Sequence, residues 1–437
     1  ILKNQSGIAQ IFIMAFSQTD FNIIHRFADA HKKSKICSRR KSALLAILCF
    51  LSQKSTVMPF SVQRNKNVNS IHRIVFGTAA LSQAEDPLGM LDAAYEKGVR
   101  RFDLARTYGM GASERIFGEW LSSRGIDRDS IYLITKGGIG MDKYGDPDRP
   151  LLNKDNLIAE VDLSLSTLNV QDVNLYMFHR DDDRLDVSNF VDWINTIVET
   201  GKIKRWGVSN WSFERFRAAH SYAIENGLVP PSANSPQFSL AAPACDVWPS
   251  TQSISQPHHA AEIEWYESHG VELLCWEVLA KGFMAKEELW RQEDVNKSTF
   301  NLPVEKGSNE WRLQRIQKAY CNEENYRRRD LAIRLAHDSG LKLAQIAMLY
   351  PLTKGKHISV IFGSSKSHHI DDMVELQHFN IDNTAMRLLV DPNFMKNSLL
   401  APKPQFVMEN AVHRVQPFKA GAVSNRRTKT VSFVKSD

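Results

Sequence analysis

Residues 102–109 read Phe102-Asp103-Leu104-Ala105-Arg106-Thr107-Tyr108-Gly109. The segment closes an apolar run at 99–104 and precedes a helical pattern at 112–123. It is therefore a strand exit that carries an Asp and a Tyr. Three other segments share this construction: Thr135-Lys136-Gly137-Gly138, Met177-Phe178-His179-Arg180 and Gly207-Val208-Ser209-Asn210. Each follows an apolar, β-branched run, and helical patterns separate them.

Outward from these pieces the alternation is regular. Strand signals fall at 73–78, 99–104, 131–135, 173–178, 205–209, 232–237, 271–276 and 359–362. Helical stretches lie between and after them, at 87–97, 112–123, 154–168, 187–200, 212–226, 258–269, 325–339 with 342–350, and 368–378. The first helix shows the logic: Leu88, Leu91, Ala94 and Tyr95 recur at helical spacing, Pro87 suits a first turn, and Gly98 suits a stop. Eight strands alternating with helices predict an α/β fold, a (β/α)8 TIM barrel, whose strand exits meet on one catalytic face. A doubly wound sheet is the alternative, but Gly77-Thr78-Ala79-Ala80 follows the first strand where that fold's nucleotide-binding form has GxGxxG.

The composition supports a folded body with charged ends. Of 437 residues, 43% are apolar and 24% charged, which suits a globular chain with a sizeable core. The net charge of +6 is uneven. Residues 1–57 hold nine Lys/Arg against two Asp, and 401–437 hold seven against two acids, so the middle is net negative. The basic balance thus belongs to the tails, read as solvated arms with no nucleic acid expected. Residues 1–66 are read as an N-terminal extension, either a presequence or a gene-model artefact, with Met58 as a candidate start. Residues 67–400 are read as the catalytic barrel and 401–437 as a basic, disordered tail.

Cys37, Cys49, Cys245, Cys275 and Cys321 form no CxxC pair and no zinc spacing, so no metal is expected. Scattered thiols of odd number suit a reducing, cytoplasmic location. Organellar targeting by the basic N-terminal extension is the alternative. No apolar run approaches the ~20 residues that span a bilayer, so no membrane contact is expected. Two connections, 241–257 and 283–323, leave strand ends and are read as substrate loops; Trp248, Trp290 and Trp311 in them suggest an aromatic lining.

The four strand-end residues permit one chemistry in particular. Carbonyl reduction needs a hydride donor, a proton for the oxygen, and polarisation of that oxygen. Tyr108 can give the proton, though its ordinary pKa near ~10 is high. An ammonium at Lys136 would lower it, Asp103 would hold Lys136 charged, and His179 can donate a hydrogen bond or assist the relay.

These pieces resemble the aldo-keto reductase superfamily. Asp103-Leu104-Ala105-Arg106-Thr107-Tyr108-Gly109 resembles its Asp-x-Ala-x-x-Tyr-Gly signature, with Gly118 in the following helix. Residues 201–210, Gly-Lys-Ile-Lys-Arg-Trp-Gly-Val-Ser-Asn, are close to its Gly-Lys-x-Arg-x-x-Gly-Val-Ser-Asn. The likeness runs over about 70–380. It implies an extended NADP(H) across the barrel's catalytic face and a small-molecule carbonyl substrate. Asp103, Tyr108, Lys136 and His179 match the catalytic tetrad. Ser209, Asn210 and Ser235 match positions at the nicotinamide carboxamide, and Trp276 the stacking aromatic. Gly77, Thr78, Ala79, Leu279 and Gly282 are assigned to the cofactor on the same basis, as are Gly363, Ser364, Ser365, Lys366 and His369 for the adenosine 2′-phosphate. A helix start bearing hydroxyls and a Lys suits a phosphate on physical grounds.

The sequence departs from the family pattern at Ser235, where Gln is usual, at Glu277-Val278 for Ser-Pro, and at Met373 for an adenine-binding Asn. The leading expectation is an NADPH-dependent carbonyl reductase. The alternatives are a nucleotide-binding regulatory subunit resembling potassium-channel β-subunits, and a nucleic-acid binder acting through its tails. Substrate identity and oligomeric state have no signal in the sequence.

Overall fold

The computed structural model describes residues 62–64, 73–138, 152–248, 250–287, 308–364, 366–376, 379–381 and 383–391. Both tails, Ser365 and Trp290 lie outside the described residues. Eight strands form the barrel: β1 Ile74–Gly77, β2 Arg101–Asp103, β3 Tyr132–Gly137, β4 Val173–Phe178, β5 Ile203–Ser209, β6 Ala233–Ser235, β7 Glu272–Cys275 and β8 Ile358–Phe362. All are parallel and in sequence order, and β8 closes onto β1 through Ile74–Val360, Val75–Ile361 and Phe76–Phe362. The predicted (β/α)8 architecture is the observed one.

The first six helices are α1 Pro87–Glu96, α2 Ala112–Arg124, α3 Lys154–Leu168, α4 Val187–Val198, α5 Phe213–Glu225 and α6 Ala260–Ser268. Their starts are encoded locally. Asp86, Asn153, Asp186 and Ser212 each accept a hydrogen bond from a first-turn backbone N–H, satisfying a donor that the helix itself cannot. Beyond β7 come α7 Asn309–Tyr320, α8 Glu323–Ser339 and α9 Leu343–Leu352, and β8 leads to α10 His368–Glu375 and α11 Asn383–Val390. Two features depart from the expectation. Part of the supposed loop 283–323 is the helix α7, and a small antiparallel ribbon pairs Val62–Arg64 with Phe379–Ile381.

Strand alternation explains why the chemistry converges. Successive side chains on a strand face opposite sides, so residues two apart share the barrel interior. At the N-terminal end that interior is polar: Arg101 of β2 makes a two-pronged ion pair with Glu272 of β7 at 2.7 and 2.9 Å. Ser359 donates to Glu272 at 2.6 Å, and Arg205 donates to Tyr132 at 3.2 Å. One step up lies an apolar layer of Val75, Ile134, Leu175, Met177, Ala233 and Leu274. One further step brings Asp103, Lys136, His179, Ser209, Ser235 and Trp276 to the C-terminal mouth. The parity that buries Ile134 therefore aims Lys136 at the site.

The larger core lies between barrel and helices, where Phe102, Phe117 and Trp120 pack together and Phe178 meets Phe190 and Trp206. Gly207 is required by close approach: a Cβ there would stand 2.4 Å from the Ala233 carbonyl oxygen on β6. Among the described residues no helix is long and apolar enough to cross a membrane.

Candidate active site

The exits of β2, β3 and β4 build a compact polar centre. Lys136 Nζ donates to Asp103 Oδ1 at 2.5 Å, to the Leu104 carbonyl at 3.1 Å and to Tyr108 Oη at 3.1 Å. Tyr108 Oη lies 3.5 Å from Asp103 Oδ2. The His179 ring meets the Tyr108 ring edge-on, with centroids 5.6 Å apart, and Thr107 Oγ1 is 3.1 Å from His179 Nδ1. The four predicted catalytic side chains are thus brought together.

The loop between Asp103 and Tyr108 is held from behind. Arg106 donates its backbone N–H to the Lys136 carbonyl at 2.9 Å and its guanidinium to Glu114 of α2 at 2.9 Å. Glu114 is fully buried and also accepts from Thr135 at 2.6 Å. One carboxylate therefore ties the β2 loop, the residue before Lys136 and helix α2.

Electrostatics sharpen the roles. Burial is the largest influence on Tyr108 and raises its hydroxyl above the usual 10.0; Lys136 opposes this without overcoming it. Lys136 pulls the phenol down, as the sequence suggests, but the enclosed site withdraws more water than the ammonium compensates, so the net shift is upward. Burial alone would lower Lys136, but the Asp103 carboxylate and Tyr108 outweigh it and Lys136 ends above the usual lysine value. His179 is pushed down to about 3, first by burial and then by Lys136, so it is a neutral imidazole at any ordinary pH.

Above this centre opens a cavity of about 690 Å³. Of the predicted cofactor residues, Gly77, Ala79, Ser209, Asn210, Ser235, Trp276, Leu279, Gly282 and Gly363 line it. Thr78 does not: it is fully buried behind the wall, donating to the Asp103 carbonyl at 2.9 Å and meeting Ser113 at 2.5 Å. Ser364, Lys366 and His369 stand beyond the lining, where Ser364 Oγ meets His369 Nδ1 at 2.8 Å and accepts the Lys366 N–H at 3.0 Å. Gln237, two residues beyond Ser235, is structural: it is buried and accepts from Ser253 at 2.6 Å and Ser255 at 2.9 Å, anchoring the loop after β6.

The lining suits a dinucleotide. Trp276 donates its indole N–H to the Ser235 carbonyl at 3.1 Å, which fixes the orientation of its ring. Asn210 Nδ2 donates to Ser209 Oγ at 2.8 Å, and Asn210 holds a positive φ of 62°, which sets its carboxamide at the mouth. At Gly77, Gly282 and Gly363 no side chain separates backbone from cavity. Ser235 Oγ is committed to the Leu274 carbonyl at 2.7 Å.

Trp248 lines the cavity as the loop reading expects, while several other lining residues carry no role in the sequence reading: Thr107, Arg180, Glu277, Val278 and Lys281. Trp248 donates its indole N–H to Glu277 at 2.9 Å, Lys281 meets the same carboxylate at 2.9 Å, and the Lys281 ammonium sits 3.7 Å from the Trp248 ring centroid. Glu277, Ala280 and Lys281 all take positive φ without being glycine, a concentration of backbone strain typical of ligand sites. Trp248 also faces Trp311 of α7 at 5.8 Å, so both long connections do reach this edge of the cavity.

Comparison with known proteins agrees with this picture. The model of the Aldo/keto reductase family matches residues 73–391. A versiconal hemiacetal acetate reductase of Aspergillus parasiticus is 23% identical over 70% of this chain and 87% of that protein. A probable voltage-gated potassium channel subunit beta of Oryza sativa subsp. japonica is 24% identical over 64% of this chain and 78% of that protein. Among solved structures, a glycerol dehydrogenase from Gluconobacter oxydans shares the fold, with a TM-score of 0.55 at 18% identity, over 77% of this chain and 95% of that one.

Proposed function

The chain belongs to the aldo/keto reductase family, and from that premise we propose that it is an NADPH-dependent oxidoreductase that reduces aldehyde or ketone carbonyls to alcohols, with Tyr108 as general acid. The observation that carries the reading is the contact of Tyr108 Oη with Lys136 Nζ at 3.1 Å, Lys136 itself held by Asp103 at 2.5 Å. Bound NADPH would supply the hydride. Tyr108, kept protonated by burial, holds the proton that passes from its Oη to the carbonyl oxygen. The Lys136 ammonium then faces the phenolate left behind, and Asp103 keeps that ammonium oriented. Neutral His179 serves as a hydrogen-bond donor to the same oxygen, not as an acid. Ser209, Asn210 and Trp276 would hold the nicotinamide, and the start of α10 the 2′-phosphate. The catalytic unit is residues 67–400, with extensions on both sides.

The test is NADPH oxidation with a varied aldehyde panel, followed by absorbance. Absence of turnover while NADPH binds would sink the reading. It would favour the second one, a nucleotide-binding regulatory subunit, which the similarity to the rice channel subunit supports. A pull-down with and without residues 1–57 tests that role directly.

Two outcomes follow from the site. Between pH 5 and 8 the kcat profile shows no inflection from His179, at about 3, or from Tyr108, above 10.0, because neither changes protonation there. An inflection near the ordinary histidine pKa in the kcat profile would contradict it. Lys366→Ala lowers the preference for NADPH over NADH about tenfold or more, the worth of a charge-assisted phosphate contact. Equal preference in the variant and the parent would remove Lys366 from the 2′-phosphate.

A further inference from the structure

Glu277 follows Trp276 at the exit of β7 and lines the cavity. It stands where the family pattern has Ser, so a carboxylate replaces a hydroxyl beside the residue assigned to the nicotinamide ring. Its backbone takes a φ of 51°, a conformation that costs a non-glycine residue about 1–3 kcal/mol and persists only where the surroundings impose it. One carboxylate oxygen, Oε1, is committed to the wall. It accepts the Trp248 indole N–H at 2.9 Å and faces the Lys281 ammonium at 2.9 Å.

The other oxygen is not accounted for by the wall. Glu277 Oε2 is buried and makes no hydrogen bond among the described residues. The Tyr320 hydroxyl neighbours Glu277, but it too is buried and without a hydrogen-bond partner, so it does not satisfy the oxygen. A carboxylate oxygen can accept from two donors, and leaving a buried acceptor unsatisfied costs about 1–3 kcal/mol, more when it is charged. A donor on a bound molecule removes that cost. The surroundings say which donor. Glu277 adjoins Trp276, and its charge acts on Arg180, which follows His179 and whose own charge reaches Tyr108. Glu277 therefore belongs to the part of the cavity where the carbonyl meets Tyr108. A carboxylate only accepts, which excludes a second carboxylate or a phosphate as its match. An ammonium would be repelled by Arg180 and Lys281, so the matching group is a neutral hydroxyl.

Resting on the carbonyl-reduction reading, we propose that Glu277 selects aldehydes and ketones that carry a hydroxyl on the carbon beside the carbonyl, accepting that hydroxyl at Oε2 while the carbonyl oxygen meets Tyr108. The reduction itself is unchanged: the hydroxyl is held and undergoes no reaction.

The test compares hydroxyacetone with methoxyacetone on the full chain, as wild type, Glu277→Met, Glu277→Gln and Trp248→Phe. The two ketones share an electron-withdrawing oxygen and differ in the donor. The wild type favours hydroxyacetone in kcat/KM by about tenfold or more, the worth of a hydrogen bond to a charged group. Glu277→Met brings the ratio near one, and Glu277→Gln, a neutral acceptor, keeps an intermediate ratio. Trp248→Phe takes the indole N–H from Oε1 but leaves Oε2, so it keeps most of the preference. A wild-type ratio near one, or an unchanged ratio in Glu277→Met, overturns the proposal. So does a ratio that falls as far in Trp248→Phe as in Glu277→Met, because Glu277 would then act only by holding the wall. A second measurement needs no turnover: binding of propane-1,2-diol and 1-methoxypropan-2-ol with NADPH present, a combination that cannot react, followed by tryptophan fluorescence. Tighter binding of the diol that Glu277→Met abolishes supports the hydroxyl site even if no carbonyl is reduced, an outcome that would sink only the reductase reading. Diol binding no tighter than that of the ether overturns the role of Glu277.

Discussion

Tyr108→Phe lowers kcat for carbonyl reduction by about a thousandfold, within the range that a positioned general acid supplies. The substitution removes one oxygen and little else. The Phe ring keeps the edge-on packing against His179, whose centroid lies 5.6 Å away, and keeps its place near the Lys136 ammonium, 4.8 Å from the ring centroid. The lost group is the hydroxyl 3.1 Å from Lys136 Nζ, the only proton donor so placed in the proposed mechanism. Binding of NADPH changes little, because the nicotinamide contacts assigned to Ser209, Asn210 and Trp276 remain. Single-turnover absorbance and an independent NADPH titration separate the two effects. A kcat within a few-fold of wild type would remove Tyr108 from the proton transfer. Loss of NADPH affinity in parallel would show instead that the site had rearranged.

Glu114→Ala destabilises the barrel by about 3–5 kcal/mol, the cost of stranding one charge of a buried ion pair. Glu114 is fully buried, with Arg106 at 2.9 Å and the Thr135 hydroxyl at 2.6 Å on its two oxygens. Its removal leaves the largely buried Arg106 without that counter-charge and Thr135 without its acceptor, and opens a cavity besides. Glu114→Gln keeps the shape and an acceptor for Thr135 while removing the charge, so it falls between Glu114→Ala and wild type. Urea unfolding of the three proteins measures the order. A loss under about 1 kcal/mol in Glu114→Ala would mean that water reaches Arg106 and that the pair is not structurally required. Because Thr135 adjoins Lys136 and Arg106 N–H holds the Lys136 carbonyl, the variant that folds also bears on the precision of the catalytic centre.

Much of this architecture is written locally. The strand 173–178 and the helix 154–168 have the same limits in sequence and structure. The strand is an apolar run, and the helix has Asn153 to accept at its start and Asn169 to take a left-handed turn at its end. Helix α7 carries little signal in the sequence because Asn-Glu-Trp-Arg-Leu-Gln-Arg-Ile-Gln-Lys-Ala-Tyr is mostly polar. Among its described side chains it buries a narrow stripe of Ile316, Ala319 and Tyr320, with Gln317 beside them. The ribbon of Val62–Arg64 with Phe379–Ile381 joins segments more than 300 residues apart. Three-residue strands carry too short a pattern to announce such a partner.

The candidate site divides in the same manner. Asp103, Lys136, His179 and Ser209 were legible because strand parity and strand order alone bring them to one mouth. Their residue types then named the family and the class of chemistry. Arg180, Glu277 and Lys281 were in plain view as residues, but their share in the cavity depends on how loops from different strands meet. The proton state of Tyr108 lies further out of reach of sequence. A Lys nearby can be read from spacing, whereas the desolvation that raises the phenol above 10.0 exists only once the whole mouth is enclosed. The sequence by itself determined the barrel, its order and the set of candidate reacting groups, because periodicity and capping are local forces. Only the tertiary structure decided the balance of charge and water around those groups, because burial is the sum of contacts that no single segment contains.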